Sequence, residues 1–213
     1  MMSDGKDRGT QVTDDHLKRD LAIMRAMAAD LRDYLNSSST HWTMATGRGD
    51  MPPLTIGGYL MRRRRLAALG RLLQAGESEA LVSANHMFDS QAKDWLVQFE
   101  SKMLAEMGDR MREWSIYLRD LAASTRLAAD TARYAYLADT RVVLEELVDT
   151  LQRSPYRLPV HIPADIAALD SRLRLHWAEG EFVWSSVWLP AYPQDRFWWL
   201  YGHPAAGVPP TNA

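Results

Sequence analysis

An all-α protein is predicted for this chain: a bundle of about four long helices with a C-terminal helix and an aromatic-rich extended strap. Three observations predict it. Apolar residues alternate intervals of four and three through Leu17, Leu21, Met24, Ala28, Leu31 and Leu35, which is the seam of one helix face. Residues 77–153 contain no proline and a single glycine, Gly108, so a very long helical stretch must fold back somewhere to bury its apolar side. Five of the eight tryptophans fall between positions 177 and 199, with Phe182, Tyr192 and Phe197 among them.

The elements follow in chain order. Residues 1–12 read as a disordered leader. Thr13 suits an N-cap, with Asp14 and Asp15 in the first turn, where the helix dipole favours negative charge. Asn36 and the serines after it end this helix, and residues 37–54 form a linking loop that Gly47, Gly49, Pro52 and Pro53 keep out of regular helix. A second helix starts near Ile56 or Tyr59 and runs to Gln74, ending before Gly76, with Leu66, Leu69 and Leu73 on one face. In the long stretch, Phe88, Ala92, Trp95 and Phe99 continue a stripe that Met103, Met107, Trp114, Leu118 and Leu121 extend. Residues 122–125 (AAST) are the preferred turn, with Asp89-Ser90 and Gly108 as other breaks. The next helix carries Tyr134, Leu137, Leu144, Val148 and Leu151, and Ser154-Pro155 stops it. Pro163 opens a last helix with Ile166, Leu169, Leu173 and Trp177 on its apolar side and Gly180 at its end. The aromatic segment beyond fits strand and helical spacing equally well, and the tail from Ala205 reads as disordered. This gives a leader at 1–12, a bundle over 13–153, a C-terminal helix and strap at 154–204 packing on it, and a tail at 205–213.

Composition excludes several classes of function. With 46% hydrophobic and 24% charged residues, the chain matches soluble globular proteins. A formal net charge of -2 argues against a dedicated polyanion binder, so nucleic acid is a disfavoured partner. The absence of cysteine removes disulfides, thiolate metal sites and cysteine nucleophiles, and accords with a cytoplasmic protein. No apolar run reaches the length of a transmembrane helix, and no apolar h-region marks a secretory signal.

Motif chemistry is sparse. No Glu-x-x-His, His-x-x-x-His or HExxH pattern is present, so no metal site and no cofactor are assigned. The nucleophile-elbow and glycine-rich phosphate motifs are missing too. Arg48-Gly49-Asp50 is a tripeptide too common to weigh. Arg196 and His203 share a spacing seen in certain helical ribonucleases, but Gly202 and Pro204 argue against a rigid helical presentation.

The candidate binding residues are Arg62, His86, Asp130, Arg141, Trp184, Trp188, Trp198 and Trp199. Arg62–Arg65 are the densest positive charge, yet a helix sends four consecutive residues in four directions. Arg63, Arg64 and Arg71 project outward, whereas Arg62 lies on the apolar face and needs a carboxylate. Arg141 interrupts the seam of the last long helix, so Asp130 is the partner expected for Arg62 or Arg141. Asn85 is a further polar group inside the bundle. The tryptophans serve either as packing wedges or as a contact surface; both roles coexist if Trp198 and Trp199 alone stay exposed.

The leading functional expectation is a non-enzymatic interaction or scaffold protein, a homo-oligomer or bound to a protein partner. The alternative is a small-molecule-binding or hydrolytic bundle, its pocket walled by Trp95, Trp114, Tyr134 or the C-terminal tryptophans, with Arg62, His86, Asp89, Asp130 and Arg141 as polar groups. Convergence of three or more of those groups in one pocket favours the alternative; pairing into separate salt bridges favours the first.

Overall fold

A computed structural model describes residues 4–44, 51–123 and 127–205, with side chains described over 14–44, 51–123 and 133–205. The fold is all-α, with one two-stranded sheet among the described residues. Its helices are α1 (Asp4–Asn36), α2 (Ile56–Ala68), α3 (Ala75–Asp94), α4 (Leu96–Ala123), α5 (Leu127–Leu151) and α6 (Ile162–Arg174). Strands β1 (Trp177–Phe182) and β2 (Tyr201–Pro204) pair antiparallel. Two compact units divide between Met103 and Leu104, within α4.

In the first unit every residue of the α1 seam, from Leu17 through Leu35, is buried. The helix begins at Asp4 rather than at the Thr13 cap, because no proline interrupts the residues before it. It ends at Asn36 as expected. There the Lys102 ammonium donates to the carbonyls of Ser37 (2.8 Å) and Ser39, placing a cation where the helix leaves its last carbonyls unpaired. Burial lowers the Lys102 pKa from its ordinary value. Trp42 and Leu54 exchange backbone hydrogen bonds across the linking loop. Thr55 caps α2 by accepting the Gly58 N–H at 3.0 Å.

Three expected helix boundaries are corrected. α2 stops at Ala68 and a 3-10 turn follows at Gly70–Leu72. Gly76 lies inside the first turn of α3, because Gln74 and Glu77 form a capping box that starts the helix there. Neither Asp89-Ser90 nor Gly108 breaks a helix. The Asp89 carboxylate is held by Arg63 and does not cap, and a Cβ at Gly108 would meet nothing within 4 Å. The break falls instead at Trp95 (φ -119, ψ 42). Hydrogen bonds from Trp95 N–H to Gln91 O and from Phe99 N–H to Trp95 O carry the chain across it. α4 ends at Ala123, inside the preferred turn at 122–125; residues 124–126 lie outside the described residues, as do residues 45–50 and the tail from 206.

In the second unit α5 is the central element. Thr140, Arg141, Val142, Val143 and Leu144 are all buried in succession, which places protein on nearly every side of the helix. Trp114 and Tyr117 of α4 lie against Tyr134, at ring-centroid distances of 6.2 Å each. α6 buries Ile166, Leu169 and Leu173 as predicted. Gly180 does not cap it. Trp177 and Gly180 belong to β1, whose register sets Trp177 opposite Pro204 and Glu179 opposite Gly202. Cross-strand pairing overrides the local helical spacing that had joined Trp177 to α6. The aromatic segment between the strands forms 3-10 turns at Ser186–Ala191 and Trp198–Leu200.

Candidate functional site

Arg62, on the apolar side of α2, meets a carboxylate as its position requires, but the partner is Asp20 of α1. Arg62 Nε and Arg65 Nη1 lie 3.4 and 3.6 Å from the two Asp20 oxygens. Arg62 also donates to the Gly58 carbonyl at 2.8 Å. The side chain of Asp130, the partner expected from the sequence, lies outside the described residues. Arg63 makes a bidentate pair with Asp89, at 2.7 and 2.9 Å. Arg64 is engaged as well, so neither Arg63 nor Arg64 is a free cation. Asn85 accepts a hydrogen bond from the Tyr59 hydroxyl at 3.0 Å. Tyr59 stacks on Phe88 with centroids 3.6 Å apart, and burial pushes its pKa up.

Arg141 organises the second unit. Its Nε and Nη2 donate to both oxygens of Asp170 on α6, at 2.8 and 2.9 Å, and Nη1 donates to Glu145 at 2.9 Å. Glu145 accepts from Arg196 Nε at 3.1 Å, and Arg196 reaches Asp149 at 2.5 Å. The Trp199 ring faces the Arg141 guanidinium at 4.0 Å. Burial acts to lower the Arg141 pKa, but Asp170 and Glu145 outweigh it and hold the group above its ordinary value. Arg196 is thereby committed to two carboxylates of α5, while His203 is exposed on β2, so the two do not form a ribonuclease-like pair.

The tryptophans divide by depth. Trp188 and Trp199 are buried. Trp184 donates its indole N–H to the Ala135 carbonyl at 2.8 Å. Trp198 stays half-buried, edge-on to Trp177 and beneath the Arg174 guanidinium at 3.7 Å. Trp199 is therefore not part of an exposed pair with Trp198. It is wedged against Phe197 and Arg141, and its carbonyl accepts the Tyr134 hydroxyl. The strap holds its unit together with most of its indole surface.

His86 is exposed to solvent. It lies on the outer face of α3 in a shallow apolar recess of about 490 Å³, lined among the described residues by Ser78, Glu79, Val82, Ser83 and His86. Val82 is 68% exposed there. Thus Arg62, Asp89 and Arg141 pair off separately, and His86 sits apart from all three.

Sequence reasoning missed Asp20 and Asp170, although both left a signal. At about 100° per residue, Asp20 projects beside Leu31 within the α1 seam, and Asp170 projects about 40° to one side of Ile166, at the edge of the apolar face of α6. No family model matches the chain, and no curated protein or solved structure matches it.

Proposed function

We propose that the protein is a non-enzymatic interaction protein that self-associates through the outer face of α3. The observation that supports this reading is the apolar recess around Val82, set beside polar candidates that are engaged in salt bridges. The partner is a second copy of the chain, argued from charge complementarity. If two α3 helices meet antiparallel about a two-fold axis between Val82 and Ser83, Glu79 of each lies opposite His86 of the other. The small side chains of Ser78 and Ser83 let the helices approach closely. One helix pair covers less than the ~1,200 Å² of a stable interface, so the association is weak and depends on concentration. A cytoplasmic setting accords with the lack of cysteine. No helix among the described residues is long and apolar enough to cross a membrane.

Sedimentation velocity at rising concentration, up to about 1 mM, tests the proposal. The wild type is expected to shift toward a dimer, and Val82→Glu to remain monomeric. Glu79→Arg should weaken the dimer, and adding His86→Glu should restore it. A wild type that stays monomeric throughout, or a dimer indifferent to Val82→Glu, would overturn the reading.

A further inference from the structure

We infer that the C-terminal turn of α6 is a docking site for an anionic membrane surface. Its outward arc carries Arg172, Arg174 and Leu175. Both arginines are exposed, and Leu175 is 60% exposed. Leu175 keeps helical dihedrals (φ -63, ψ -20), so the helical projection holds through it. At about 100° per residue, Leu175 projects opposite the buried Ile166, Leu169 and Leu173, with Arg172 on one side of it and Arg174 on the other.

Neither arginine is in an ion pair among the described residues. Asp170, the acid before them in the chain, already accepts from Arg141 Nε and Nη2. No acid falls between Ser171 and Ala178. Glu179 and Glu181 lie farther along β1, which extends about 3.3 Å per residue. The Arg174 guanidinium is held 3.7 Å from the ring of the half-buried Trp198. A guanidinium stacked on an indole keeps its N–H edges for oxyanions.

The helix dipole accounts for two arginines at a C-terminus, but not for a leucine set out in water between them. An anionic bilayer accounts for both. Leu175 enters the acyl boundary, the arginines meet lipid phosphates, and the Trp198 indole suits the headgroup level. A nucleic acid would use the arginines and leave Leu175 in water. One aliphatic side chain and two cations make a weak site, which therefore depends on anionic lipid. The site shares no residue with the α3 face proposed for self-association, so either can fail without the other.

Co-sedimentation of the full chain with lipid vesicles at low salt tests the inference. Vesicles of mixed phosphatidylserine and phosphatidylcholine are expected to bind it about tenfold or more tightly than vesicles of phosphatidylcholine alone. Leu175→Asp and Arg172→Glu/Arg174→Glu, exposed substitutions whose fold is checked by circular dichroism, should each weaken binding about tenfold or more. A single-stranded oligonucleotide should fail to displace the protein from the vesicles. Absence of binding to the anionic vesicles at about 1 mM lipid, or binding unchanged in Leu175→Asp, would overturn the site. Displacement by the oligonucleotide would overturn it too, and would assign the arginines to nucleic acid instead.

Discussion

The two compact units build their cores by different means. In the first, α1 buries a broad apolar face, the Leu, Met and Ala seam with Ile23, Met27 and Tyr34 alongside it, and leaves the opposite face to water; its polar contact with α2 lies within the buried face, at Asp20. In the second, α5 is enclosed, so its polar residues cannot turn to water. Thr140 donates to Glu113 at 2.9 Å, and Arg141 finds Asp170, Glu145 and the face of Trp199. A striped helix is specified by its own spacing. An enclosed helix is specified by what surrounds it, and here that is an aromatic segment together with fixed ion pairs.

The sharpest way to break this comparison is to remove one arginine from each unit. Arg141→Met leaves Asp170 without its cation, at a side-chain exposure of 18%, and leaves Glu145 with Arg196 alone. Breaking such a pair costs about 3–5 kcal/mol, and the lost contact with Trp199 adds about 1; about 4 kcal/mol is expected. Arg62→Met leaves Asp20 with Arg65 at 3.6 Å, and about 1 kcal/mol is expected. Urea unfolding followed by circular dichroism reads both. Adding Asp170→Leu to Arg141→Met should recover much of the loss, because the stranded charge is then gone. Equal losses from the two arginines would end the distinction between the units.

The same distinction governs what could be read from the chain alone. The α1 seam, the stripe from Phe88 to Phe99 and the apolar side of α6 were legible because each helix repeats its own period. Arg141 was legible as a residue needing a partner, but Asp170 was not identified as that partner, since the pair is separated by 29 positions and only the packing of α6 on α5 joins them. The strand pairing of Trp177 with Pro204 was hidden for the same reason. The break at Trp95 carries no glycine or proline to announce it.

Two glycines sharpen the comparison further. Gly202 has φ of +153, and a Cβ there would press on the Ala178 carbonyl oxygen and lie 2.7 Å from Trp177 Cζ2. Strain of about 1–3 kcal/mol joins overpacking of about 1–3, so Gly202→Ala should cost about 3 kcal/mol. Gly58 is tight for another reason, because a Cβ would lie 2.8 Å from the Thr55 hydroxyl that caps α2. Losing that cap costs about 1 kcal/mol, while alanine in place of glycine returns about 1. Gly58→Ala should thus be nearly neutral in the same unfolding assay. A neutral Gly202→Ala would mean that the β1–β2 pairing contributes little to the second unit.

The smallest expected difference concerns two buried tyrosines. The Tyr134 hydroxyl donates to the Trp199 carbonyl, and that of Tyr59 to Asn85. Tyr134→Phe leaves a buried carbonyl unpaired, and about 2 kcal/mol is expected; Tyr59→Phe leaves a part-buried amide, and about 1. Alkaline pH separates the pair again. Burial raises both phenols; Asp89 raises Tyr59 further, and Tyr117 and Asp170 raise Tyr134 further, while Arg63 and Arg141 respectively oppose. Each folded pKa then exceeds the unfolded value of about 10, so above that pH the unfolded chain releases the proton first. The stability held by each phenol is complete below about pH 10 and is lost as pH rises toward the folded pKa. Tracking the urea midpoint from neutral to alkaline pH should show a falling limb that Tyr134→Phe and Tyr59→Phe each flatten. The effect should be larger for Tyr134, whose group sits inside the aromatic core of the second unit. If Tyr59→Phe flattened the limb more, the first unit would be the one that shields its polar groups from water.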